Sequence, residues 1–258
     1  MHAARGERHS DLTMPIRASA TDAGQIRRFE LALFHPAPPA ISSERILRIQ
    51  GYSDLTRVRP AIRHAAHAMA QVASALSEPS VASRHVRIRA MRGATLQLQG
   101  GHELHCPFFA RALEGCVEVV PFALTAGEPI GARVVELADA GDLLEAVLLE
   151  TAGWLCIEDA TRQFKAHLRE VSLQRDRRIT SRLGPGYSYK VGGEMCMWPL
   201  EEQATLFAML GDAQQLPVSL MSSCAMLPKL SRSGMYGVGP LPAARRTEIR
   251  IPSQERFE

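Results

Sequence analysis

The stretch "CVEVVPFALTAG", Cys116–Gly127, is a nearly continuous apolar run and reads as an inner strand. Just before it, "HVRIRAMRGATLQLQ" (85–99) changes to a period of two. Val86, Ile88 and Ala90 alternate with arginines, Gly93 breaks the run, and Leu96 and Leu98 alternate with glutamines. That pattern predicts a two-stranded hairpin with one buried face. After the inner strand a helix is expected with Ile130, Val134 and Leu137 on one face. The longest helical signal then runs from Asp142 to about Arg175, with Leu144, Val147, Thr151, Trp154, Phe164, Leu168 and Val171 as its inward stripe.

Farther out, Ser42 or Ser43 can cap a short helix holding Ile46, Leu47 and Ile49. Pro60 opens a second helix, to Leu76, with Ile62, Ala65, Met69, Val72 and Leu76 at helical spacing. Toward the C-terminus, "WPLEEQATLFAMLG" (198–211) predicts a helix that buries Leu200, Ala204, Phe207 and Leu210 and stops at Gly211. Short strands follow at "LPVSLMSS" (216–223) and "SGMYGVG" (233–239). The fold class is therefore α+β: a twisted antiparallel or mixed sheet with helices packed mainly on one side. Residues 1–42 are expected to form a disordered leader, 43–240 the folded domain and 241–258 a loose tail.

Composition excludes several function classes. With 258 residues, 46% of them hydrophobic, the chain can bury a sizeable core. Its 30 basic and 27 acidic residues leave a formal charge of +3, too balanced to make nucleic-acid binding the default. No run approaches the roughly 18 apolar residues of a membrane span, and the N-terminus lacks the apolar core of a signal peptide. Five scattered cysteines, never paired as C-x-x-C, suit reduced thiols and a cytoplasmic location.

The candidate chemistry centres on "RLGPGYSYK" (182–190). Gly-Pro-Gly makes a stiff bend with little side-chain cover. On either side of Pro185 it leaves the amides around Gly184 and Gly186 open to a ligand, and it sets a guanidinium (Arg182) and a phenol (Tyr187) beside them. An ordinary surface turn is the plain alternative.

This loop and "LPVSLMSSCAMLPKLSRSGMYGVG" (216–239), taken together, resemble the activation domain of cobalamin-dependent methionine synthase. In that family an Arg-Pro-x-x-Gly-Tyr loop precedes a helix with a Leu-Phe pair, and a Leu-Thr-x-Ser-x-x-Met-x-Pro-x-x-Ser-x-Ser-Gly run ends near a tyrosine. Here Leu220, Ser223, Met226, Pro228, Ser231, Ser233, Gly234 and Tyr236 keep that order, and Met221 stands where threonine is usual. With "RILRIQGY" and the Cys116 segment, the resemblance spans roughly residues 43 to 240 and extends to shorter free-standing members of the family.

The resemblance implies an S-adenosylmethionine-binding fold that docks on a cobalamin protein and supports reductive reactivation of its corrinoid. The implied partner is a corrinoid-dependent methyltransferase or corrinoid protein. The chain has no cobalamin-binding Asp-x-His-x-x-Gly motif, so the corrinoid must come from outside. As an enzyme it would be a methyltransferase-associated module, with no nucleophile of its own. Arg182 would grip the ligand carboxylate, and Tyr187 and Tyr236 would offer ring faces to adenine or the sulfonium. Ser233 and Gly234 would complete the wall. Asp176 could receive the ammonium, or pair with Arg177 or Arg178. Tyr236 also reads as a half-buried strand tyrosine, and the serines as turn chemistry.

Two departures from the family qualify these expectations. "SYKVGGEMCM" (188–197) is inserted before Trp198, a glycine-hinged loop whose Tyr189 and Cys196 could serve as lid and thiol. The family's acidic Asp-Trp segment has no counterpart. A non-catalytic module that caps or chaperones a corrinoid protein, and an enzyme with new chemistry in the 188–197 loop, are therefore alternatives. "GGHELHC" places His102, His105 and Cys106 together, but Gly100 and Gly101 favour a turn and no metal site is expected.

Overall fold

A computed structural model of the chain describes residues 30–241. In chain order the strands and helices are β1 (Ala32–Phe34), α1 (Ser43–Ile49), α2 (Pro60–Leu76), β2 (Ser80–Ser83), β3 (Val86–Arg92), β4 (Thr95–Leu98), β5 (Glu103–His105) and α3 (Phe109–Ala112). There follow β6 (Glu118–Thr125), α4 (Pro129–Asp139), α5 (Leu143–Leu173), β7 (Arg177–Ile179), β8 (Ser188–Val191) and β9 (Glu194–Met197). The last are α6 (Gln203–Leu210), β10 (Ser219–Leu220), β11 (Met226–Leu227) and β12 (Ser231–Pro240).

β6 is the axis of a curled antiparallel sheet. One edge pairs with β12, from Ser231↔Thr125 to Val238↔Glu118. Its other edge is shared: β2 pairs with Phe122–Thr125 and β3 with Glu118–Val119. Pro121 sits at the junction, where it can be tolerated. Its partner across β12, Met235, directs both its amide and its carbonyl to Leu183, so the missing proline N–H is not needed on that side. On the other side Pro121 accepts from the Arg84 amide in the break between β2 and β3. Beyond that break β3 curls away, carrying β4 and β5.

All eight residues of β6 are buried because both sheet faces are covered. Val120, Phe122 and Leu124 face α1, α2, α4 and α5, together with Tyr236 and Val238 of β12. Val119, Ala123 and Met235 face a second core of Leu96, Leu98, Leu104, Phe109, Trp198, Leu206 and Leu210. Helices thus lie mainly on one side, and α6 closes the other.

Several sequence expectations are corrected. The end of the expected leader is ordered: β1 adds to the sheet beside β2. Residues 1–29 and 242–258, which hold the rest of the leader and the tail, lie outside the described residues. On α5, Leu144, Val147 and Trp154 are exposed. That helix is flanked by both α2 and α4, and its buried surface is built instead from Ala146, Leu149, Ala152, Gly153, Cys156 and Ala160 with Phe164 and Leu168. In the 198–211 segment Leu200 and Ala204 point outward. Pro199 is followed by a 3₁₀ turn, Leu200–Glu202, which changes the helical phase so that Leu206, Phe207, Met209 and Leu210 are buried.

Candidate functional site

The inserted segment 188–197 is a β-hairpin, not a loose loop. Gly192 and Gly193, both at positive φ, form its two-residue turn. Tyr189 and Cys196 are cross-strand partners on the inward face, and Met195 and Met197 are exposed on the other. Tyr189 stacks on Phe108 with ring centroids 4.7 Å apart. Its hydroxyl accepts from the Gly184 amide at 2.7 Å and donates to the Gly184 carbonyl at 3.1 Å. The Gly186 amide donates to the Trp198 carbonyl at 2.7 Å, and the Tyr187 amide to the Gly184 carbonyl. The amides expected to be open to a ligand at Gly184 and Gly186 are therefore engaged by the hairpin and the residue that follows it.

Arg182 is placed by the backbone pairing of Leu183 with Met235, at 2.8 and 2.9 Å. Its guanidinium folds back over Gly184 and lies 4.8 Å from the centre of the half-exposed Tyr187 ring. A Cβ on Gly184 would stand 2.9 Å from Arg182 Nη1 and 3.0 Å from the Tyr187 ring, so glycine is what lets the two side chains meet there. A Cβ on Gly234 would stand 2.5 Å from the Leu183 carbonyl, so the second glycine lets this loop close onto β12.

Alternation along β12 turns Arg232, Gly234 and Tyr236 toward the helices. Tyr236 is fully buried, its ring stacked on Phe122 (5.5 Å) and tilted against Phe164 (6.1 Å). Burial pushes its hydroxyl up to about 12, and the nearby charges of Arg182 and Arg232 pull the other way. Arg232 Nη1 donates to Thr161 Oγ1 at 3.1 Å and Nη2 to Glu158 Oε1 at 2.5 Å. The Arg232 hydrogen bond holds the Glu158 carboxyl below the usual range against partial burial, helped by the charges of Arg232, Arg182 and Arg45.

Two polar atoms in this cluster are buried without a partner, Arg182 Nη1 and Tyr236 Oη. Buried polar atoms are almost always satisfied, so each of these two is a point where a water or a ligand's polar group can bind.

The structure therefore brings Arg182, Gly184, Tyr187 and Tyr236 together and leaves other candidates apart. Tyr236 meets the site with its hydroxyl, because its ring is enclosed by phenylalanines rather than offered to a ligand. Ser233 is buried on the opposite face of β12, beside Met235. Pro185 is buried in the bend. Asp176 lies beyond the far end of β12, its carbonyl accepting from Leu241. Five residues of β12 separate that end from Met235, about 17 Å at strand rise. Cys196 faces inward, away from Tyr187. Of the histidine–cysteine group, His105 contacts Glu202 (Nδ1 to Oε1, 2.9 Å), and Cys106 is fully buried.

Glu158, Thr161 and Arg232 were not expected at the site. A signal for Arg232 was present: it is the one long charged side chain in a strand of small and apolar residues. Glu158 carries no comparable mark among the many charges of α5.

An apolar concavity lies elsewhere. A groove of about 500 Å³ is lined by Gly131, Val134, Val135, Leu227 and Leu230. Two of its charges, Glu150 and Lys229, pair with each other at 2.5 Å. None of its lining residues holds a buried polar atom without a partner, so the chemistry favours the Arg182 cluster.

A curled antiparallel sheet, helices mainly on one face and a Gly-Pro-Gly loop closed onto the long last strand define a reactivation-domain type of α+β fold. The crystal structure of the MetH reactivation domain bound to AdoHcy matches this chain with a TM-score of 0.60, covering 81% of this chain and 78% of that one at 15% sequence identity. The likeness is one of fold. No family model matches the sequence, and none of the curated proteins does.

Proposed function

We propose that Arg182, Tyr187, Tyr236, Glu158 and Arg232 form a site for S-adenosylmethionine, and that the chain supports remethylation of a corrinoid carried by a partner methyltransferase. The observation that carries this reading is that Arg182 Nη1 and Tyr236 Oη are both buried without a protein partner, in a cluster where the Arg182 charge acts on Tyr236 and on the Glu158 carboxylate. A methionine-derived ligand supplies the matching groups: a carboxylate for Arg182 and an ammonium for the second oxygen of Glu158. Half-exposed Tyr187 offers one ring face for adenine or the sulfonium, since its other neighbour is Arg182. A solved structure with this fold holds AdoHcy, the demethylated form of that ligand.

The chain's own residues bind and orient the donor. The partner's reduced corrinoid supplies the methyl acceptor. Holding donor and acceptor in line is the contribution expected from this scaffold. No helix among the described residues is long and apolar enough to cross a membrane, and five free thiols suit the reducing cytoplasm.

Calorimetric titration with S-adenosylmethionine tests the reading. Arg182→Ala is expected to weaken binding by about 10-fold or more, the loss of one charge-assisted pair. An unchanged affinity in Arg182→Ala would remove Arg182 from the site. Absence of binding by the unaltered protein would instead favour the second reading, a non-catalytic module that caps a corrinoid protein. That reading draws on the engaged amides at Gly184 and Gly186 and on the exposed Met195, Met197 and Leu200 beside them. New chemistry in the 188–197 segment finds less support, because Cys196 is turned inward.

A further inference from the structure

We propose that Cys106 and Cys196 are a redox pair that closes to a disulfide and pins the β8–β9 hairpin to the body of the domain. The inference is independent of which ligand the Arg182 cluster takes. The two cysteines come from distant parts of the chain. Cys106 follows β5, is fully buried, and donates its amide to the Ala94 carbonyl. Cys196 lies on β9, half-buried, on the inward face of the hairpin. Both pack in the second core, close enough that Cys196 acts on the Cys106 thiol. The contact is fixed from both sides. The cross-strand partner of Cys196, Tyr189, stacks on Phe108, two residues after Cys106. Glu202 ties the residue before Cys106 to the hairpin's exit, accepting from the His105 amide at 2.8 Å and from Trp198 Nε1 at 2.6 Å.

The pair divides the chemistry by exposure. Cys106 is fully enclosed, so reagents in solution do not reach it, and burial also pushes its thiol up to about 11. The more accessible Cys196 meets a peroxide first. Its thiolate attacks one oxygen of hydrogen peroxide, the O–O bond breaks, and hydroxide leaves to become water. The resulting Cys196 sulfenic acid faces Cys106. The Cys106 sulfur attacks it, the S–O bond breaks, and a second water leaves with the Cys106 proton. Two thiols are oxidised, one peroxide is reduced to two waters, and the protein loses two hydrogens. A dithiol such as dithiothreitol reverses the step by exchange.

The bond would matter because the hairpin holds the Gly-Pro-Gly loop. Tyr189 bonds both backbone groups of Gly184, and Trp198, at the end of β9, bonds Gly186. Fixing Cys196 to Cys106 fixes that support.

The test treats the full-length chain with hydrogen peroxide and then quantifies thiols and intact mass after unfolding and alkylation. The expected result is a fall from five free thiols to three, since the chain has five cysteines, and a mass loss of about 2 Da that dithiothreitol restores. Proteolysis should yield a single cross-link joining the peptides that contain Cys106 and Cys196. Cys156→Ser should keep it, and Cys196→Ser should lose it. The half-buried position makes Cys196→Ser tolerable to the fold, and the parallel variant Cys106→Ala guards against a misfolded result. Hydrogen exchange at Gly184 and Gly186 should slow on oxidation with no ligand added. Oxidation of Cys196 to sulfinic acid with Cys106 left free would overturn the proposal. So would a cross-link between other cysteines, or one that survives Cys196→Ser.

Discussion

Tyr236 buries a phenol whose hydroxyl has no hydrogen-bond partner among the described residues. Leaving such a group unsatisfied costs about 1–3 kcal/mol, a cost that a bound water or a ligand's polar group would remove. Tyr236→Phe separates the two roles, because the ring contacts with Phe122 and Phe164 survive the substitution. The variant is expected to be at least as stable as the parent, by up to about 1–2 kcal/mol in denaturant unfolding. Its affinity for S-adenosylmethionine should fall about 5-fold, the worth of one ordinary hydrogen bond. Lower stability with unchanged affinity would mean that the hydroxyl serves the fold through a buried water. At this scale the sequence was partly readable. Arg182, Tyr187 and Tyr236 stand out as polar groups in glycine-rich surroundings. Glu158 does not, because its role comes from Arg232 reaching across from β12 to α5, a contact between residues 74 positions apart.

The β8–β9 hairpin shows how one element can take over backbone groups that the local sequence leaves free. "GPG" is rightly read as a bend, but the partners of its amides come from Tyr189 and Trp198, and only the folded hairpin brings them there. The two glycines in "KVGGEM" (190–195) were a hairpin signal, since a two-residue glycine turn suits the twist of paired strands. The strands themselves were masked by polar and sulfur-bearing residues with no clear alternation. Tyr189→Phe isolates the support. Phenylalanine keeps the stacking on Phe108 and deletes both hydrogen bonds to Gly184. Gly184 is buried, so the substitution should cost about 1–3 kcal/mol, measurable as a shift of the denaturant midpoint without a change in slope. Exchange of the Gly184 amide should also accelerate. An unaltered midpoint and unaltered exchange would show that the loop holds its shape without the hairpin.

Across the whole molecule, the fold was readable where a single element faces two layers. The run at β6 is apolar on both faces because a helical core and a second core both lie against it. The pairing that curls the sheet was not readable. β1, β5 and β7 are three residues each, too short for a period to show, and the division of one edge of β6 between β2 and β3 depends on partners 31 or more positions away. The helix layer and the sheet are joined not only by apolar packing but by one ion pair, Arg232 of β12 with Glu158 of α5. Because Arg232 holds the Glu158 carboxyl below its ordinary range, the folded state binds the Glu158 proton more weakly than the unfolded chain does. The stabilisation is therefore present above the unfolded value, about 4.3, and is lost as the pH falls through the lower folded one. The Glu158 side chain is half exposed, so screening limits the effect to about 0.5–1 kcal/mol. Comparing unfolding of the parent with Glu158→Gln from pH 7 to pH 3 should show that difference at neutral pH. It should close below about pH 4 and shrink with added salt. A gap that stays constant down to pH 3 would mean that Glu158 contributes through packing on α5 rather than through its charge, and the tie between the two layers would then lie elsewhere.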